Sequence, residues 1–96
     1  MTLHTLNASP ASAAFADCLR LLAAGDALLL LGDGVYAALE GTEPRRALDA
    51  SGALLHLLQP DAAAAGVLGR IGSAAVVDMD GFVELSERFV RQLAWY

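Results

Sequence analysis

The sequence has no lysine and only one cysteine, and its six arginines are outnumbered by eleven aspartates and glutamates, giving a net charge of −5. Nucleic-acid binding normally requires a basic surface that neutralises phosphates, so we expect no direct contact with nucleic acid. A single cysteine, Cys18, excludes an internal disulfide and favours a reducing compartment. With His4 and His56 far apart in the chain, no metal-ligand spacing exists, and we expect neither a metal nor a cofactor.

Long apolar runs are also missing. The run from Ala27 to Leu31 is far shorter than the roughly 20 residues that a membrane-spanning helix needs. The first ten residues lack the basic start and apolar stretch of a secretory signal, so we expect a cytoplasmic protein. Yet 56% of the residues are hydrophobic and the mean hydropathy is +0.50. A 96-residue chain buries too little surface on folding to cover all of these apolar side chains, so we predict that the chain is a subunit of an obligate oligomer.

Apolar segments alternate with helical patterns along the chain. The predicted strands cover residues 2–6, 26–31, 53–58 and 74–78, and the predicted helices cover 12–25, 61–68 and 81–95, with Asp80 as the cap of the last helix. Residues 41–51 are predicted to form a loop or a broken short helix. Continuous apolar strands are typical of a parallel sheet covered on both faces. We therefore predict one domain over residues 1–96, a three-layer α/β/α fold with a mostly parallel sheet.

The turn Gly32, Asp33, Gly34 follows the second predicted strand, at the sheet edge where ligands of α/β proteins gather. It lacks the third glycine of a dinucleotide fingerprint and the lysine of a P-loop, and its aspartate repels phosphate. We interpret it as a structural turn in which Asp33 caps a helix beginning near Val35. A small-ligand site here stays open as an alternative. A receiver-like pocket of Asp33 and Asp78 would lack its usual lysine.

Cys18 falls on the same helical stripe as Phe15, Leu19 and Leu22, which predicts a buried packing residue. The alternative is a reactive thiol, which requires exposure and a lowered pKa. Only Arg20 offers a nearby positive charge in the sequence, and Asp17 lies beside it.

The remaining candidates are aromatic or imidazole side chains. His4 and His56 lie in apolar strands, where a histidine is more often a hydrogen-bonded core or interface residue than a ligand. Trp95 and Tyr96 are predicted to dock on a partner chain, since large amphipathic aromatics are enriched at interfaces. Tyr36, just past the edge of the sheet, is a third interface candidate.

Four segments together resemble the TusB/DsrH family of sulfur-relay subunits. They are Leu3-His4-Thr5, Gly25-Asp26 at the start of the second strand, Asp33-Gly34-Val35 followed by alanines, and Ala94-Trp95. The resemblance covers the whole chain in the same order. It implies an α/β subunit of a cytoplasmic heterohexamer built from three related chains, with TusC/DsrF-like and TusD/DsrE-like partners.

The resemblance also implies a function. Such complexes pass persulfide sulfur between carrier proteins, toward 2-thiolation of the transfer-RNA wobble uridine in the TusB branch and in sulfur oxidation in the DsrH branch. This chain would be mainly structural or assisting. The resemblance implies that DsrH-type members carry a functional cysteine in the region of the first helix, whereas TusB-type members can lack it. Cys18 is therefore a candidate secondary persulfide acceptor, and its presence does not distinguish the two branches.

Overall fold

Five parallel strands form one sheet in the order β4-β3-β2-β1-β5 in the computed structural model, which describes all 96 residues. The strands are Thr2–Leu6 (β1), Ala27–Leu30 (β2), Leu54–Leu58 (β3), Ala75–Val77 (β4) and Arg91–Trp95 (β5). The helices are Ala13–Leu21 (α1), Glu43–Ser51 (α2), Gln59–Ala65 (α3) and Met79–Arg88 (α4). Short 3₁₀ segments cover Gly32–Ala38 and Leu68–Arg70.

The handedness of the crossovers explains where the helices lie. Successive strands β1 to β4 step across the sheet in one direction, and right-handed connections therefore place their helices on one face. The connection through α4 returns across the sheet from β4 to β5, so the same rule places α4 on the opposite face. The predicted three-layer α/β fold is confirmed, with one layer made of a single helix.

The core is divided between the two faces of the sheet. The larger cluster joins β1, β2 and β3 to α1, α2, α3 and the first 3₁₀ segment, and includes Leu6, Leu28, Leu30, Leu57, Phe15, Cys18, Val35, Leu48 and Ala62. The smaller cluster joins Leu3, Ala27 and Leu29 to Leu85 of α4. Because β2 is buried on both faces, its four residues read as an uninterrupted apolar run.

The end of the chain differs from the prediction. Residues 81–95 were expected to be one helix, but α4 ends at Arg88 and residues from Arg91 form a fifth strand. This strand pairs with the free edge of β1, where Thr2 is opposite Arg91 and Leu6 is opposite Trp95. Pairing satisfies backbone groups of β1 that a longer helix would leave without partners.

Residues 41–51 are also more regular than predicted. Most of the segment forms α2, with Pro44 in its first turn and Gly52 in the left-handed conformation at its end. The first helix begins where expected, since Ser12 caps it by accepting the Phe15 N–H at 3.1 Å, but it ends at Leu21 rather than at Gly25. No helix combines the length and hydropathy needed to cross a bilayer.

Helix caps near the carboxyl edge of the sheet correct two further predictions. The helix after β3 begins at Gln59, two residues before Asp61. Asp78, not Asp80, caps α4, because its side chain accepts the Gly81 N–H at 2.8 Å. The helix therefore begins at Met79, earlier than the apolar periodicity indicated.

Candidate functional site

The Gly32-Asp33-Gly34 turn lies at the carboxyl end of β2, as predicted, but Asp33 is not a cap. The turn begins a 3₁₀ segment whose preceding residue, Leu31, provides no side-chain bond, and Asp33 is exposed. The Gly34 N–H instead donates to the Leu31 carbonyl at 2.9 Å. The two glycines are needed for geometry, since Gly32 has a φ of +53° and a Cβ at Gly34 would overlap the carbonyl oxygen of Leu6.

A carboxylate occupies the backbone donor that an anionic ligand would use at this turn. Asp61 of α3 accepts the Gly32 N–H at 2.7 Å. The adjoining open cavity has a volume of about 220 Å³, and Gly32, Asp33, Tyr36 and Asp61 contribute to its walls. Drug-sized ligands generally occupy pockets of about 300–1,000 Å³. The small cavity and its two carboxylates favour a structural turn over a phosphate site.

Cys18 is buried in the larger core cluster and is only 1% exposed. Burial raises the pKa of its thiol to about 11. The one nearby cation in the sequence, Arg20, is committed to Asp17 at 2.5 Å on the exposed face of α1. A buried neutral thiol is a poor nucleophile, so the geometry of Cys18 in this chain is that of a packing residue.

A hydrogen-bonded network joins the start of the chain, the start of β2 and the end of β5. Asp26 accepts the Thr2 N–H at 2.9 Å, the Ala23 N–H at 3.1 Å and a bond from His4 Nε2 at 3.1 Å. On the other side of the imidazole, Trp95 Nε1–H donates to His4 Nδ1 at 3.1 Å. Both His4 and Asp26 are buried, so the network is an internal polar cluster.

The electrostatics of this network follow from its donors. Burial by itself raises the pKa of Asp26, but the Thr2 and Ala23 N–H groups and His4 outweigh it and hold that pKa below its ordinary value. Asp26 is therefore a carboxylate at neutral pH. His4 is a hydrogen-bonded core histidine, as predicted from its place in an apolar strand.

Comparison with known proteins places the whole chain in a family. Residues 8–92 match the model of the family described as DsrH like protein. The chain belongs to the DsrH-like family. It is 46% identical over 94 residues to "Protein TusB" of Erwinia tasmaniensis and 44% identical to "Protein TusB" of Pectobacterium parmentieri, in each case covering 97% of this chain and 99% of the relative. "Protein TusB" of Escherichia coli O1:K1 / APEC is 42% identical, with the same coverage.

Solved structures agree with the fold of this DsrH-like chain. The crystal structure of the ychN protein from E. coli superimposes with a TM-score of 0.71 at 16% identity, covering 97% of each chain. The solution structure of Tm0979 from Thermotoga maritima gives a TM-score of 0.67 at 22% identity, covering 92% of this chain and 93% of that one. At these identities the likeness shows the shared fold alone.

Three of the segments that carried the family resemblance meet in this network. Leu3-His4-Thr5, Gly25-Asp26 and Ala94-Trp95 lie far apart in the sequence, yet they supply the three side chains that meet in one cluster. Asp26 was quoted above only as part of a resembling segment, with no contact predicted for its side chain. The sequence pattern that indicates a role for Asp26 is a single acidic residue directly before an uninterrupted apolar strand. A carboxylate buried at such a place needs a hydrogen-bonding partner, which here is His4.

Arg45 is a second buried charge that the sequence analysis missed. Only 5% exposed, it donates from Nη1 to the Ala38 carbonyl at 2.5 Å and to the Ile71 carbonyl at 2.7 Å, and from Nε to Asp49 at 3.0 Å. It thus ties α2 to the ends of both 3₁₀ segments. This role is structural.

The other predicted residues lie apart from one another. Tyr36 is 41% exposed at the carboxyl edge, and Tyr96 is exposed at the chain end. Trp95 is half-buried and bonded within its own chain. His56 has no hydrogen-bond partner at its buried Nδ1, and its pKa is lowered by burial and by Arg88. No three histidine, cysteine or acidic side chains lie close enough together to hold a metal ion.

Proposed function

We propose that this chain is an assisting subunit of a cytoplasmic sulfur-relay complex. In this proposal it assembles with TusC/DsrF-like and TusD/DsrE-like chains, which pass persulfide sulfur toward 2-thiolation of the transfer-RNA wobble uridine. Family membership over residues 8–92 supports a relay subunit, and relatives named TusB support the transfer-RNA branch over sulfur oxidation.

The observation that carries the assisting role is the state of the only thiol. A persulfide carrier needs an accessible thiolate that attacks a sulfane sulfur and then presents it to the next acceptor. Cys18 is buried and its pKa is raised to about 11. At pH 7 only about one chain in ten thousand would hold a thiolate. The reactive cysteine is therefore assigned to a partner chain.

Exposed apolar side chains support assembly. Met79 and Val83 lie four residues apart on α4 and are 55% and 52% exposed, so they form an apolar stripe on the outer surface of that helix. At one edge of the sheet, β5 has no further strand beside it, and Tyr96 follows it in an exposed position. We propose Tyr36, Trp95 and Tyr96 as interface residues.

The test is co-expression with TusC- and TusD-like chains, sizing by light scattering, and transfer of labelled persulfide sulfur through the purified complex. The proposal predicts that Cys18→Ala assembles and transfers sulfur within about twofold of the parent complex. If assembly persists while transfer stops, Cys18 is a carrier and the assisting role is wrong. If the parent chain does not assemble, the relay proposal itself is wrong.

Matched substitutions test the interface separately. Tyr36→Ser and Tyr96→Ser remove exposed aromatic area, so they should leave the isolated chain stable while weakening assembly. Ser73→Ala, which removes only an exposed hydroxyl away from α4 and from the two tyrosines, is the control. Equal assembly of all three variants would exclude both tyrosines from the interface.

A further inference from the structure

We propose that His4 is a proton-controlled latch for the C-terminal strand. Neutral His4 holds Trp95 in place, and protonated His4 releases Trp95 while keeping its bond to Asp26. The inference rests on the geometry of the His4, Asp26 and Trp95 side chains and does not depend on the proposed function.

The first step is that the hydrogen bonds fix one tautomer of His4. An indole N–H is a donor and never an acceptor, so the bond of 3.1 Å from Trp95 Nε1 requires an unprotonated Nδ1 on His4. The two ring planes are nearly parallel, with an interplanar angle of 15° and centroids 6.3 Å apart. The single ring proton of neutral His4 therefore lies on Nε2, facing Asp26.

The second step is that protonation affects the two partners in opposite ways. A proton added to Nδ1 makes it a donor that faces the indole N–H, so the bond to Trp95 is lost. The Nε2–H bond to Asp26 becomes a buried bond between opposite charges and is strengthened. The core pairing of β1 with β2 is thus retained while the end of β5 loses its side-chain anchor.

The third step is that, apart from the ladder with β1 and the packing of Trp95 against the larger core cluster, the end of this strand has no other side-chain hydrogen bond to hold it. β5 is an edge strand with an exposed outer side, and four of its five residues are exposed. Beyond the ladder with β1, its last backbone contact is the long 3.4 Å bond from the Asn7 N–H to the Trp95 carbonyl. Loss of the indole hydrogen bond therefore affects the end of β5, which frays from the sheet.

The charged groups around the latch favour this outcome. Asp26 is the carboxylate that faces the ring from the start of β2. On α1, Asp17 and Arg20 lie beside Trp95 but pair with each other, and the Cys18 thiol stays neutral because burial raises its pKa to about 11. On β5, Arg91 is exposed opposite Thr2, at the far end of the strand.

The experiment is NMR of the uniformly ¹⁵N-labelled chain from pH 8 to pH 5. At pH 8 the ring nitrogens of His4 should show a protonated Nε2 and an unprotonated Nδ1. As His4 protonates, the single indole N–H, that of Trp95, should lose its protection from exchange at least tenfold, while amides of β1 and β2 keep theirs. The tryptophan emission maximum should move to longer wavelength over the same range.

Two variants make the test specific. In Trp95→Phe no indole N–H faces His4 Nδ1, so protonation of His4 should no longer change the amide exchange at the end of β5. His56→Gln removes the other histidine, which lies on a different strand, and should leave the Trp95 transition unchanged.

Three results would overturn the latch. They are a protonated Nδ1 on neutral His4, an indole N–H that stays protected after His4 has protonated, and loss of amide protection in β1 and β2 together with that of the indole.

Discussion

Asp26→Asn is the sharpest test of the internal polar network. The carboxylate accepts three hydrogen bonds, with Oδ1 serving the Thr2 N–H and Oδ2 serving both Ala23 and His4. An asparagine has one acceptor oxygen and one amide that can only donate. In its better orientation the oxygen serves Ala23 and His4, and the amide faces the Thr2 N–H. One buried donor, the Thr2 N–H, is then left without an acceptor, and the other two hydrogen bonds are made to a neutral oxygen instead of a carboxylate.

The magnitude follows from those bonds. A buried unsatisfied donor costs about 1–3 kcal/mol, and bonds to charged groups are worth about 1.5–3 kcal/mol, compared with about 1 kcal/mol for neutral ones. We expect Asp26→Asn to lower the free energy of unfolding by about 2–4 kcal/mol at pH 7. With an m-value of about 1 kcal/mol/M for a small domain, the midpoint of urea unfolding should fall by about 2–4 M.

The control is Asp17→Asn, which also removes an ion-paired carboxylate. Asp17 and Arg20 are exposed, and such surface pairs contribute about 0–1 kcal/mol. If Asp26→Asn costs no more than Asp17→Asn, the network does not stabilise the fold and the reasoning is refuted.

The pH dependence gives an independent check on Asp26. Its pKa in the folded chain lies below the ordinary value of 3.8, so its stabilisation is fully present above that value and is lost as the pH falls through the lowered pKa. The stability difference between the parent chain and Asp26→Asn should therefore persist down to about pH 5 and shrink below about pH 4, where the carboxylate itself is protonated. A difference that grows as the pH falls below about 4 would contradict the assignment.

Three further predictions concern other buried positions. Gly34→Ala should destabilise the fold by about 2–3 kcal/mol in urea unfolding because its Cβ meets backbone, whereas Gly69→Ala, with open space around it, should change stability by less than about 1 kcal/mol; equal effects would contradict the steric argument. Arg45→Met should cost about 2–4 kcal/mol because two carbonyls lose their donor, compared with less than about 1 kcal/mol for the exposed Arg46→Met. Cys18 should react with Ellman's reagent at pH 8 at least 100-fold more slowly in the native chain than in urea, and rapid native labelling would show that the thiol is accessible.

The parts of the fold that were predictable are those where local pattern and burial agree. The apolar run at 27–30 indicates a strand covered on both faces, and the stripe through Phe15 and Cys18 favours a helix face turned toward the core; the structure has both. The glycines of the Gly32–Ala38 segment marked a tight turn, and the structure gives the reason, which is the close approach of Gly34 to the backbone of β1.

The errors lie where distant partners decide the outcome. Residues 91–95 carry a pattern that fits a continuing helix, and they become a strand because β1 offers an unpaired edge. The cap of α4 is Asp78 rather than the predicted Asp80; both lie near the helix start, and local sequence does not rank two acids that are two residues apart.

The sequence by itself determined the fold class, the burial of Cys18 and the surplus of apolar surface, since each follows from composition or from spacing within a single segment. Only the tertiary structure decided that His4, Asp26 and Trp95 form one network, because their contacts join positions 4, 26 and 95 and no local pattern encodes such a pairing. It also decided that the Asp61 carboxylate accepts the Gly32 N–H, although the two residues are 29 positions apart in the sequence. Long-range hydrogen bonds depend on which strands become neighbours, and that is settled when the whole sheet assembles.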